Sequence, residues 1–324
     1  MSSGSMEGKE SIWGYLIISE NTSLSMFIAS IAVSLIFVYW FLPLDSTEFS
    51  LKPQFREKNY NFTPGENQGM QFYENLRYRD KKISYKIDDS CTLQKKYDME
   101  LALEIIENKT ILDFYPASSF EEILVACEDK IVTQEKFFVA GEGGPVNITK
   151  TENFNVILNG GILLLKDSSC QKPNIAIHEL LHALGFDHSP NPNNIMYNIS
   201  KCNQEIGEDI INAINGLYSV PSYPDLSFED ASALMRGKYL DLNISIRNNG
   251  LADSKNAKII IYADEKEIKE IPLEEMKIGY GVTIVLGNIF IPQINVNKIE
   301  IKIEVSFNEL DKNNNAVELD IKNK

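Results

Sequence analysis

Histidine is almost missing from this chain: 324 residues contain three, beside four cysteines and two tryptophans. So few cysteines, with no C-x₂₋₄-C pair among them, exclude knuckle- or ribbon-type zinc sites. Positive charge is short as well, 31 Lys and Arg against 46 Asp and Glu, for a formal net charge of −15 and a pI near 4.8. Such a surface repels a phosphate backbone, so nucleic acid is excluded as a partner, and the plain reading of the excess acid is a solvated surface. Repeats and low-complexity tracts are absent. The 44% of hydrophobic residues still suffice for more than one core, and two folded domains are the expectation.

Charge is absent altogether from one stretch, LSMFIASIAVSLIFVYWFLPL, Leu24 to Leu44. At 1.5 Å per residue an apolar helix of this length spans roughly 30 Å, the hydrocarbon thickness of a bilayer. Tyr39 and Trp40 fall where interfacial aromatics sit, and Pro43 and Asp45 end the run. A cleaved signal peptide, the rival, needs a basic n-region, a shorter apolar core and an A-x-A-like site. A buried core helix needs a polar face, and the run has none. The run is therefore read as one transmembrane anchor over 24–44 behind an N-terminal tail, 1–23. Residues 45–80, polar with Pro and Gly breaks, read as a stalk.

Orientation rests on opposing signals. Lys9 precedes the run and Lys52, Arg56 and Lys58 follow it, which by itself would put the body inside, but that rule fades for large translocated domains. Six N-x-S/T sequons, at Asn21, Asn61, Asn108, Asn147, Asn198 and Asn243, and the cysteine pattern favour the body outside a cell membrane crossed once.

Beyond the stalk the periodicity changes twice. Over 81–220, KISYKID reads as a strand, LQKKYDMELALEIIENKT as a helix, and EEILVACED, KFFVAG and VILNGGILLLKD as strands, the last broken by Gly160 and Gly161. PNIAIHELLHALG starts a helix after Pro173 and stops it at Gly185, and GEDIINAINGLY closes an α+β domain. Over 221–324, YLDLNISIRN, AKIIIYAD, GVTIVLGNIFI and KIEIKIEVS alternate apolar and polar residues between Asn-, Asp- and Gly-rich turns, the pattern of an all-β immunoglobulin-like sandwich.

All three histidines lie in HELLHALGFDH, His178 to His188. His178 and His182, four apart on a helix, project from one face and can share a metal; Gly185 turns the chain so that His188 becomes a third nitrogen ligand. Three imidazoles leave one tetrahedral position open, the mark of a catalytic Zn²⁺ site. Glu179 is then placed to take a proton from water activated at the metal, and hydrolysis of a peptide bond is the reaction class. A histidine-bearing amphipathic helix that merely packs is the alternative.

The same residues carry a resemblance. HELLHALGFDH fits the H-E-x-x-H-x-x-G-x-x-H signature of metzincins, and NNIMYNIS resembles their Met-turn, with Met196 beneath the metal. Asp187-His188-Ser189, Met196-Tyr197 and the GEDIINAINGLY helix are closest to the matrixin family. The resemblance implies a zincin-like catalytic domain whose sheet edge, expected at GGILLLKD, pairs with an extended substrate. A cysteine-switch propeptide, a calcium-loop sequence and a proline-led wall after Met196-Tyr197 are missing, so latency and side-chain preference do not carry over. Tyr197 is read as packing or pocket wall. Cys91, Cys127, Cys170 and Cys202 allow three pairings; 170–202 with 91–127 is favoured, buried free thiols being the alternative. NISIRNNGLADSKNAKIIIYADEKEI and DKNNNAVEL resemble the adhesion-related (CARDB-like) module of microbial surface proteins.

The expected architecture is thus an α+β metzincin catalytic domain followed by a β-sandwich, behind one transmembrane helix. The expected function is a membrane-anchored zinc endopeptidase acting on protein or peptide substrates, with the sandwich as spacer or surface-protein contact. A surface adhesion or scaffold protein with an inactive zincin domain, and a soluble secreted protease, are the other readings.

Overall fold

The computed structural model describes residues 20–41, 48–55, 70–129, 132–134, 137–167, 170–293 and 296–320. In chain order the first elements are α1 (Glu20–Phe41), β1 (Glu48–Phe55), β2 (Leu76–Tyr78), β3 (Lys82–Ile87), α2 (Leu93–Lys109), β4 (Asp113–Pro116) and β5 (Ile123–Cys127). They are followed by β6 (Val132–Gln134), β7 (Phe137–Val139), β8 (Gly141–Lys150), β9 (Asn155–Leu164), α3 (Asn174–Ala183) and α4 (Glu208–Ser219). The C-terminal strands are β10 (Leu226–Arg236), β11 (Tyr239–Asn248), β12 (Ala257–Ala263), β13 (Lys266–Leu273), β14 (Gly281–Phe290), β15 (Lys298–Val305) and β16 (Ala316–Asp320).

Residues 24–41 of the uncharged N-terminal run lie in α1, whose described side chains, Ser25 to Phe37, are exposed. Among the described residues no helix is long and apolar enough to cross a membrane. Residues 42–44 of the expected anchor lie outside the described residues.

The first domain is a sheet in the order β2-β9-β5-β3-β4, all parallel, with β8 added antiparallel to β9. Helix α2 begins where the Thr92 hydroxyl accepts from the Lys95 backbone N–H, and Met99, Ala102, Leu103 and Ile106 recur at helical spacing on its buried side. That stripe joins Ile83, Ile123 and Ile157 of the sheet and Leu180 and Leu181 of α3 in one core. The expected substrate-pairing edge GGILLLKD is corrected here. β9 lies inside the sheet, with β2 and β5 on one side and β8 on the other. Gly160 marks a close approach: a Cβ there would lie 2.2 Å from the Tyr78 hydroxyl. The edge is β8.

The second domain is a sandwich in the order β13-β12-β15-β16-β1-β10-β11-β14, every pairing antiparallel. In β11 the buried residues Leu240, Leu242, Ile244 and Ile246 alternate with more exposed ones, as a strand with one face on a core requires. The expected stalk is also corrected. Residues 48–55 form β1, which pairs with β10 through Glu48–Leu51 and with β16 through Lys52–Phe55, so an N-terminal strand joins the two halves of the C-terminal sandwich. At the junction of the domains Phe154 and Val156 pack on Leu251 and Ile278. There the Arg77 guanidinium, almost wholly buried, sits 4.5 Å from the centre of the Tyr218 ring and donates to the Leu217 and Val220 carbonyls.

Candidate active site

Helix α3 is buried along nearly its whole length and starts after Pro173, where the Asn174 side-chain amide donates to the Lys201 carbonyl at 2.6 Å. It ends into Gly185, whose φ of +99° suits only glycine and whose absent Cβ leaves room for Leu76, 2.7 Å away. The turn carries His188 back toward the helix. The potential ligand atoms of His178, His182 and His188 all lie within 4.8 Å of one another.

Ring orientation fixes the chemistry. His178 Nδ1 donates to the Ile195 carbonyl and His182 Nδ1 to the Phe186 carbonyl, each at 2.7 Å. A carbonyl only accepts, so both protons sit on Nδ1 and both Nε2 atoms present lone pairs. Those Nε2 atoms are 3.0 Å apart, and His182 Nε2 is 3.3 Å from His188 Nε2. Lone pairs so placed repel unless a cation lies among them. Ligands about 2.0–2.1 Å from a tetrahedral zinc are about 3.3 Å from each other, so the donor set fits Zn²⁺. Burial, the largest cause, holds His178 down to about 4 and lowers His182 as well, keeping both rings in the neutral, ligating form.

Glu179, next on the helix, is also buried. Burial, and after it the Glu142 carboxylate, pushes its carboxyl up to about 8; a dication at the imidazoles would draw it down again. Its neighbours are the glycines of β8. A Cβ on Gly143 would sit 2.2 Å from the Glu179 carbonyl oxygen, and one on Gly141 2.8 Å from its side chain. Edge strand and helix touch because those side chains are missing.

Beneath the triad, Asn194 Oδ1 accepts from the Met196 N–H, and the carbonyl of Met196, a fully buried residue, accepts from the Ser189 N–H at 2.8 Å. This turn therefore supports His178 through Ile195 and steadies the residue after His188. Tyr197 follows it, half-buried. Cys170–Cys202 closes a span of 32 residues around all three histidines and Met196, and Cys91–Cys127 ties the start of α2 to the end of β5. Both are the pairings favoured from sequence. Two contributors lay in the expected stalk: Phe72, whose ring stacks on His182 with centroids 5.7 Å apart, and Tyr78, whose hydroxyl donates to the Ala183 carbonyl. Leu76 and Tyr78, buried either side of Arg77, are a strand signal too short for periodicity to flag.

Residues 71–215 match the Astacin peptidase family, and residues 223–319 match CARDB. No curated protein matches the chain. That match is to the astacins among metzincins, and it does not show the matrixin closeness read from Asp187-His188-Ser189 and Met196-Tyr197. The three histidines and Glu179 thus lie in a segment similar to the Astacin peptidases, ahead of a segment similar to CARDB.

Proposed function

We propose that this chain is a membrane-anchored zinc endopeptidase whose catalytic domain faces outside the cell, with Glu179 as general base. The observation that carries the reading is the convergence of three Nε2 atoms, two with their protons committed to carbonyls, beside a buried carboxylate and a sheet edge. Zinc, when bound, supplies Lewis acidity toward water and toward a peptide carbonyl. Glu179 takes the proton of the attacking water and returns it to the leaving amine. Strand β8, with one partner strand among the described residues, offers its outer backbone groups to an extended peptide, which aligns the scissile bond.

The anchor and its orientation draw support from the uncharged Leu24–Leu44 run, from two disulfides suited to an oxidising compartment, and from Asn108, Asn147, Asn198 and Asn243, all exposed sequon residues. The sandwich serves as spacer or as a contact for other surface proteins. Its presence also favours a second reading, a surface scaffold without turnover, against which stand Glu179 and all three ligands.

Purified protein is expected to hold about one zinc per chain and to digest casein in a chelator-sensitive way. His182→Ala loses the metal. Glu179→Gln keeps it while proteolysis falls at least about 10²-fold. Proteolysis indifferent to chelator or to Glu179→Gln refutes the mechanism. In intact cells an impermeant label reaches residues beyond Asp45; protection of the whole body refutes the orientation.

A further inference from the structure

Just ahead of β2 the chain passes the metal shell. Met70, Gln71 and Phe72 run antiparallel to Gly185, Phe186 and Asp187, the residues between the second and third histidines. The Phe72 N–H donates to the Gly185 carbonyl at 3.0 Å, the Asp187 N–H donates to the Met70 carbonyl at 2.8 Å, and Gln71 faces Phe186 between them. The Gln71 side-chain amide donates to the Leu76 carbonyl at 2.7 Å, which ties this short ladder to the sheet.

Each rung leads to a ligand. The Phe186 carbonyl, opposite Gln71, accepts the His182 Nδ1 proton and so sets which nitrogen of that ring stays bare. The Phe72 ring lies over the face of the same imidazole at an interplanar angle of 23°. Asp187, held by Met70, accepts the His188 backbone N–H at 2.7 Å through its own carboxylate. His178 takes its support elsewhere, from Ile195. The residues that carry two of the three imidazoles are therefore joined, His182 through Phe72 and Phe186 and His188 through Asp187, to a segment more than a hundred positions earlier in the chain.

We propose that residues 70–72 are a positioning clasp for the metal shell: Phe72 holds the His182 ring flat, and the backbone ladder holds the turn that delivers His188. The inference rests on the reading that the three histidines bind zinc. It makes the segment entering the catalytic domain part of its metal chemistry, with Phe72 a positioning residue that touches no reacting atom. Without the clasp, His182 can swing off the Phe186 carbonyl and the Gly185 turn can open, so the bound ion sits in a looser and less regular shell. Groups that orient metal ligands commonly change affinity by 10–100-fold when removed.

The test uses the full chain loaded with Co²⁺, whose visible absorption reports ligand geometry. Phe72→Ala is expected to alter that spectrum and to release metal to a competing chelator about 10-fold faster, and Phe72→Tyr to restore both. Tyr73→Ala, its exposed neighbour, leaves both unchanged. An unaltered spectrum and release rate in folded Phe72→Ala, whatever happens to its melting temperature, overturns the clasp. If Phe72→Ala does not fold, Gln71→Leu, which loses only the bond to Leu76, decides: faster release supports the clasp, and parental release overturns it. A parent chain that takes up no Co²⁺ overturns the zinc reading itself, and the clasp with it.

Discussion

Replacing Cys170 and Cys202 together by serine removes the covalent tie around the site. The bridge closes a span of 32 residues, for which the chain-entropy relation gives a destabilisation of about 4 kcal/mol. Little of that is recovered in the folded state, because the enclosed loop is held independently. The Gln204 amide donates to the Pro192 and Ile199 carbonyls, the Asn174 amide donates to Lys201, and the Ile195 N–H donates to the Glu205 carbonyl at 2.7 Å. The Asn191-to-Asn194 stretch, which looks unrestrained in sequence, is thus pinned. The variant should therefore fold with its site assembled and lose its stability through the freer unfolded chain. For a domain of this size the loss corresponds to a fall in melting temperature on the order of 10 °C. Calorimetry of parent and variant without reductant measures it, and a chelator competition follows metal release, which should quicken in the variant. A fall below about 2 °C, or peptide mapping that finds both thiols free in the parent, refutes the reasoning.

Gly143→Ala should push β8 away from α3, because the new Cβ would lie 2.2 Å from the Glu179 carbonyl oxygen; overpacking of this kind costs roughly 1–3 kcal/mol, visible as a lower melting temperature with reduced casein turnover. Gly144→Ala, with nothing within 4 Å of its Cβ, is the matched control and should change neither. Below about pH 6.5 the unfolded His178 binds a proton that the folded ring, held by burial to about 4, refuses. Metal-free protein is then expected to keep this contribution above pH 6.5 and to lose it, roughly 3 kcal/mol, as the pH falls through 4, which urea titrations across that range would record. A chain beginning at residue 70 lacks β1 and leaves β10 and β16 unpaired along facing edges, so it should melt lower in its sandwich transition and self-associate in sedimentation runs.

The clustering of the three histidines was legible because its message is local. His178, Glu179, His182, Gly185 and His188 fit within three helical turns and a bend, and the amphipathic stripe of α4 announces itself over 12 residues. What escaped was written across distance. Glu142-Gly143-Gly144-Pro145 reads as a loop by propensity, yet it is strand, and Gly143 is required by the Glu179 backbone of a helix that comes from later in the chain. The Gly160-Gly161 pair suggested an edge, while at Gly160 the glycine makes room for Tyr78. The Met70–Phe72 segment forms one bridge only, too brief for any period. Strand β1, with Lys52 and Pro53 at its centre, has the composition of a linker, and its partners β10 and β16 lie more than 170 positions later in the chain.

That last pairing sets a timetable for synthesis. β1 leaves the ribosome before the first domain, but β10 is made only after that domain is complete, and β16 later still. Domains fold as units and in order of emergence, so the peptidase part can condense while the strand ahead of it waits without a partner. A strand that waits is an aggregation hazard, and Lys52 and Pro53 are residues that discourage strangers from pairing with it. Closing the sandwich then means reaching back over a finished domain, a contact of very long sequence separation and a slow step by loop-closure reasoning. The first domain is finished early; the sandwich closes only when β16 meets β1.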